Sequence, residues 1–301
     1  MKLFKRRTGS AQNLAFVGLM CAVDAVMATL STLVPLSALF VIVFLPLVSA
    51  LTVIVCEDRY ILVYLVAAVA LSLGVTAYDI AATLFYIIPA TIVGTLYGFL
   101  LKKGFPSALL IFLCALAEMG LNYAALPLIK LVSGVDFIAF LTTALGLSSN
   151  AAFPYFVPSL ILLYSLVEVL LSNIISVPLL SDFGIKTNDW QLYSWVYDIL
   201  SLSFSMIAIG LAFAEISLGY CFLVAAIFFT IYSLLAYFRK LPAWTYLMLG
   251  LFLAAGWMAF AFLYQKMPSY SGLLLGGIVT TALTIPSLIV RLSFKAPRAL
   301  E

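Results

Sequence analysis

Pro106 to Leu126 reads PSALLIFLCALAEMGLNYAAL. Glu118 is the one charged side chain in this run, which is long enough to cross the ~30 Å hydrocarbon core of a bilayer as a helix. A soluble core helix of this length would carry a polar face along its whole length; the polar stripe here is Cys114, Glu118 and Asn122, at i, i+4 and i+8. A carboxyl at mid-membrane depth is unfavourable by roughly 2.5–3.5 kcal/mol on insertion scales. The stretch therefore predicts a spanning helix with one polar stripe turned away from lipid.

The rest of the 301-residue chain has the same character. It is 65% apolar and 9% charged, against about 45–50% and about 25% in soluble domains. Further apolar runs fall at 13–34, 36–56, 60–76, 80–101, 153–178, 190–213, 218–238, 242–264 and 271–290. With no water in the bilayer core, each backbone amide must be satisfied within its own segment, and the runs far exceed the ~10 residues of a barrel strand. The expected fold is all-α, a polytopic helical bundle of about ten spans. Residues 1–180 form a first unit of six spans and residues 181–301 a second unit of four. The runs at 36–56 and 60–76 are separated only by Glu57, Asp58 and Arg59, so a re-entrant hairpin there would alter the count.

Charge sets the orientation. With the N-terminus inside, every Lys and Arg except Lys130 and Lys266 falls on the cytoplasmic side, as the positive-inside rule requires. Both termini are then cytoplasmic, and Trp190, Trp195 and Trp244 lie near the inner interface. The basic segment from Lys2 to Arg7 could instead open a secretory signal, but the following run exceeds the ~7–15 residues of a signal core and carries Asp24. On the outer side, Phe137 to Leu147 is too short to span and reads as an interfacial or re-entrant helix.

With no histidine and four cysteines all inside apolar runs, disulfides, Cys/His metal sites, histidine-based triads and histidine proton relays are not expected. No P-loop is present. The chain is read as a non-enzyme without a cofactor and without a nucleic-acid partner; its partners are the lipid bilayer and other proteins.

The informative side chains are the acids inside the spans: Asp24, Glu118, Glu168 and Asp198. Helical spacing gives each polar company: Asn13, Met20 and Ser31 with Asp24, Cys114 and Asn122 with Glu118, Tyr164 and Ser172 with Glu168, and Ser194, Ser201 and Ser205 with Asp198. Asp24, Glu118, Asn122, Glu168 and Asp198 are the candidate substrate or ion ligands, able to close around one polar cavity for a cation, a proton or a solute with amine or hydroxyl groups. The alternative is that they are interhelical glue, at about 0.6 kcal/mol per contact. Asp79, near the outer end of the fourth span, is a weaker candidate.

The first span has a second face. Ala11, Ala15, Gly18, Ala22, Ala25 and Thr29 form a small-residue seam roughly 140° around the helix from Asp24, suited to close approach of another helix. Gly94 and Gly98, and Gly272, Gly276, Thr280 and Thr284, offer similar packing.

The basic N-terminus, this seam, the linker Thr32-Leu33-Val34-Pro35, the run Phe44-Leu45-Pro46-Leu47, the turn Glu57-Asp58-Arg59 and the helix ending Gly94-Thr-Leu-Tyr-Gly98-Phe-Leu-Leu-Lys102-Lys103 resemble the S components of energy-coupling-factor transporters over about residues 11–180. The full length resembles the YybS-like bacterial membrane proteins, an S-component-like unit extended by C-terminal helices, and Pro154, Pro158 and Ser159 leading to Glu168 and Asn173 fit that pattern. The resemblance implies that Ala11, Ala15, Gly18, Ala22 and Ala25 contact a transmembrane coupling subunit and that ATPases act in trans. It also implies a location in the bacterial cytoplasmic membrane and a small-molecule ligand captured from outside. Two other readings stand beside it: an ion-coupled secondary transporter built as five plus five helices, and an envelope assembly protein.

Overall fold

The computed structural model describes residues 9–34, 38–144, 153–181, 194–214, 216–237, 243–264 and 271–293. Among them the chain is all helix, with no strand: α1 (Ser10–Leu33), α2 (Ala38–Val55), α3 (Arg59–Val75), α4 (Ile80–Lys102), α5 (Ser107–Ser133), α6 (Phe137–Ala144), α7 (Phe153–Ser181), α8 (Ser194–Phe213), α9 (Gly219–Tyr237), α10 (Ala243–Tyr264) and α11 (Ser271–Ser293). Six of these, α1, α4, α5, α7, α8 and α11, contain stretches long and apolar enough to cross a membrane, and α2, α3, α9 and α10 hold shorter apolar stretches. The chain is an integral membrane protein of the polytopic all-α class. Two compact units divide it, residues 1–188 and 189–301.

In the first unit α1 packs on α2 and α3, α2 on α4 and α7, α4 on α5, and α5 on α7. The closest approach is between α2 and α4. A Cβ added at Gly94 would lie 2.5 Å from the Pro46 backbone, and one at Gly98 would lie 2.8 Å from that of Ala50. Glycine is required at both places because the two backbones touch. The seam also gathers chain ends: Lys102 at the end of α4 pairs with Asp58 in the α2–α3 turn at 2.5 Å, Arg59 pairs with Glu57 at 2.8 Å, and the Glu57 amide donates to Asn13 near the start of α1 at 3.2 Å. The cations Arg59 and Lys102 thus share one end of the unit.

Two helices depart from the sequence expectation. The fifth run, expected to stop at Leu126, continues through Pro127 to Ser133 and ends where Gly134 adopts φ 71°. Pro127 removes one N–H, and its exposed position lets the helix resume; Gly134, free to take the left-handed conformation, is the true stop. In α4, Thr83–Ile87 forms a π-turn, with the Ile88 N–H bonded to the Thr83 carbonyl. Pro89 follows immediately, and its ring would clash with the Phe85 carbonyl in a regular α-helix, so the backbone widens one turn before it. The short outer segment is helical over Phe137–Ala144 and packs on α5 and α7; Leu145 to Leu147 lie outside the described residues, as does Trp190. Trp195 is exposed.

In the second unit α8 and α11 pack on each other and both on α9, while α10 lies against α11. A Cβ at Gly276 would meet Leu223, one at Gly277 Ile209 and one at Gly256 Ile278 and Ala282, so these three glycines are spent on packing within this unit.

Candidate functional site

The intramembrane acids fall into three separate side-chain clusters. Asp24 on α1 is fully buried and accepts a hydrogen bond from the Tyr64 hydroxyl on α3, which is in turn bonded to the Ser49 hydroxyl on α2 at 2.8 Å. Tyr60, Tyr64 and Ala68, at i, i+4 and i+8, are the buried face of α3 and bring that hydroxyl inward. The sequence reading missed Tyr64 and Ser49; the four-residue spacing of that stripe was the available signal. Asn13, expected beside Asp24, is buried on the same face and is occupied by the Gly9 carbonyl and the Glu57 amide.

Asp198 on α8 belongs to the second unit. It accepts from Ser233 on α9 and from Ser287 on α11, the latter at 3.0 Å. One turn on, Ser201 meets Thr230 at 2.5 Å and Thr284 at 2.9 Å; a further turn on, Ser205 meets Thr280 at 2.7 Å. The polar stripe of α8 is thus matched by both neighbours at Asp198 and Ser201 and by α11 at Ser205. Asp79 serves as the N-cap of α4, accepting from the Ala82 amide at 3.0 Å.

The third cluster is different. Cys114, Glu118 and Asn122 form one buried stripe on α5, and Glu168 and Ser172 are buried on α7 with Tyr164 half-buried one turn before. The α5–α7 seam brings the Glu118 and Glu168 carboxyls into direct contact, and the Tyr164 hydroxyl lies against Glu168. Ser172 donates to the Val43 carbonyl of α2 at 3.3 Å, in the turn before Pro46. An aromatic group borders the seam: the π-turn of α4 carries Phe85 and Tyr86, each with its ring centroid 6.4 Å from that of Tyr164, and Phe85 also packs against Phe137 of α6 at 5.0 Å. The ion pairs among the described residues, Arg59–Glu57, Lys102–Asp58 and Lys130–Asp136, all lie at helix ends, and none reaches this seam.

The seam gathers several unmet bonding groups, where the α1 cluster leaves a single acid oxygen, Asp24 Oδ1, without a partner. Asn122 is 0% exposed, yet neither its Oδ1 nor its Nδ2 has a hydrogen-bond partner among the described residues. Glu118 Oε2 and the Ser165 hydroxyl, three residues before Glu168, are likewise buried without partners. A buried polar atom left unpaired costs about 1–3 kcal/mol, and native proteins hold few of them. Chemically, the seam offers carboxylate acceptors, an amide able both to give and to accept, a phenol and a flat aromatic wall.

The small-residue seam of α1 faces away from the buried core. Ala11, Ala15, Gly18 and Ala22 are exposed, Ala25 and Thr29 are half-buried, and a Cβ at Gly18 would meet nothing within 4 Å. Gly94 and Gly98, by contrast, are consumed by α2. Compared with family models, with curated proteins and with solved structures, the chain matches none of them.

Proposed function

We propose that this protein binds a small molecule within the membrane for uptake, with an S-component-like first unit that needs coupling subunits and ATPases in trans. The observation that carries this reading is the Glu118–Glu168 carboxyl contact beside the fully buried, unpartnered Asn122. Buried ionisable groups in spanning helices are costly and mark substrate or ion paths, and unpaired polar atoms next to them are what a ligand would satisfy. The outward small-residue face of α1 supports the second half of the proposal, because a helix surface with Gly18 open lets another helix approach closely. The proposed setting is the bacterial cytoplasmic membrane with both termini inside. Ala22→Leu should leave the chain folded and abolish its co-purification with a coupling subunit from native membranes in gentle detergent. Recovery of the wild-type chain with neither coupling subunit nor ATPase would remove that half of the reading.

A second reading is favoured by the same carboxyl pair, which has no basic partner among the described residues and suits coupling to an ion gradient. An ion-coupled secondary transporter would show, in proteoliposomes, a solute flux that needs an imposed proton or sodium gradient and disappears in Glu118→Gln.

A further inference from the structure

Two carboxylates in contact inside hydrocarbon repel strongly, because little solvent screens them. Charge balance therefore demands a positive occupant between Glu118 and Glu168. A single proton shared between the two carboxyls needs no added space and leaves the pair with one negative charge. Whatever displaces that proton without changing the buried charge must itself be a monocation.

The side chains around the pair narrow the kind of monocation. No group of three or more His, Cys, Asp or Glu suited to a metal occurs among the described residues. An ammonium group has three N–H donors, matching Glu118 Oε2, Glu168 and Asn122 Oδ1, of which the first and last are buried and unpartnered. The Asn122 NH2 group is left to donate to an acceptor on the same ligand. Phe85, Tyr86 and Tyr164 supply aromatic surface of the kind that attracts organic cations.

We propose, building on the reading of this seam as a ligand site, that it takes the primary ammonium group of a small organic cation in exchange for the one proton held between Glu118 and Glu168. No covalent bond is made or broken: the ligand arrives as its ammonium ion, the shared proton leaves to solvent, and the net charge of the site is unchanged. The titratable neighbours are Cys114 on α5, Tyr164 on α7 and Tyr86 on α4, none of them a cation. Helices α2 and α6, which pack on α7, contribute no titratable group. The lysines that belong to α4 and α5, Lys102 and Lys130, are held at the helix ends by Asp58 and Asp136.

The test uses the full chain in detergent and n-butylammonium as the probe, with n-butanol and sodium chloride as controls. Dicyclohexylcarbodiimide attacks protonated carboxyls in apolar surroundings, and intact-mass and peptide spectrometry locate the adduct. The proposal expects one adduct per chain, at Glu118 or Glu168. Butylammonium should suppress it about tenfold and leave the carboxyls unmodified, with no butylamide formed at either glutamate; the controls should not suppress it, and a proton should be released on butylammonium addition in weak buffer. Glu118→Gln and Glu168→Gln should each weaken butylammonium binding roughly tenfold to a hundredfold, the loss of a charge-assisted hydrogen bond, while Asp198→Asn retains it. Should either variant fail to fold, protection in the wild-type protein decides the matter alone. Equal protection by sodium or butanol, or labelling untouched by butylammonium, overturns the proposal. Protection of Glu118 by a neutral or anionic solute would overturn the ammonium assignment while leaving a ligand site in place. Labelling of both carboxyls that no solute alters would remove both.

Discussion

The α5–α7 seam of the first unit and the α8–α9–α11 seam of the second solve the same problem in opposite ways. Both place an acid in an apolar bundle. Around Asp198, serine and threonine hydroxyls arrive from both neighbouring helices, and the layers of Ser201 and Ser205 continue the match. Around Glu118 the nearest polar partner is a second carboxyl, and Asn122 goes unanswered. Hydroxyls supplied by neighbouring helices mark an acid that holds helices together. Acids facing each other, with orphan amide atoms alongside, cost stability, and it is this cost that the proposed ligand would offset.

The largest effect expected from breaking this contrast is at the packing beneath the first seam. Gly94→Leu drives a side chain into the Pro46 backbone and separates α2 from α4, which carries Tyr86 toward Tyr164. A loss of about 3 kcal/mol, at the upper end for overpacking, should appear as unfolding of the first unit at much lower temperature in detergent. Next is a difference of sign. Asn122→Leu removes two unpaired buried atoms and should raise stability by about 1–3 kcal/mol while abolishing ligand binding. Asp198→Leu strips Ser233 and Ser287 of their acceptor and should lower stability by about 2 kcal/mol. Thermal unfolding of both variants checks the pair, and stabilisation by Asp198→Leu or destabilisation by Asn122→Leu would erase the distinction.

Asp24 tests whether hydroxyl-matched acids are structural in the first unit too. A double-mutant cycle of Asp24→Asn with Tyr64→Phe should give a coupling of about 0.6–1.7 kcal/mol, the range of interhelical bonds in membranes, and leave ligand binding intact. The smallest effect lies outside the membrane. The hydrogen bond from Lys130 holds the Asp136 carboxyl below the usual carboxylate range. Because that range is lowered in the folded chain, the contribution is present above the ordinary carboxylate pKa and is lost as pH falls through the depressed one. Lys130→Ala should move the Asp136 midpoint upward in an NMR titration.

Particular residues show what was readable beforehand. The stripe Cys114, Glu118, Asn122 was legible because a 3.6-residue period places i, i+4 and i+8 on one face, and the structure buries all three. The small-residue seam of α1 was legible for the same reason, but that it is exposed and not packed inside the unit came only from the structure. The stop at Gly134 was present in the sequence but hidden by Pro127, which reads as a terminator although a proline on the exposed side of a helix need not end it. The π-turn depends on how the carbonyls before Pro89 are accommodated by neighbouring helices, which local pattern does not contain.

Sequence by itself determined that the chain lives in a bilayer, that its segments are helices, and which face of the acid-bearing helices is buried, because composition and periodicity act through local backbone geometry and the absence of water. Which acid meets which partner was decided only by tertiary structure. Four buried carboxyls look alike along the chain; the crossing of α5 with α7 sets Glu118 against Glu168, and the crossing of α8 with α9 and α11 sets Asp198 among hydroxyls. Helix faces are fixed by neighbours in sequence, whereas contacts between faces are fixed by how backbones interlock, and here small residues such as Gly94 and Gly98 determine how closely they do so.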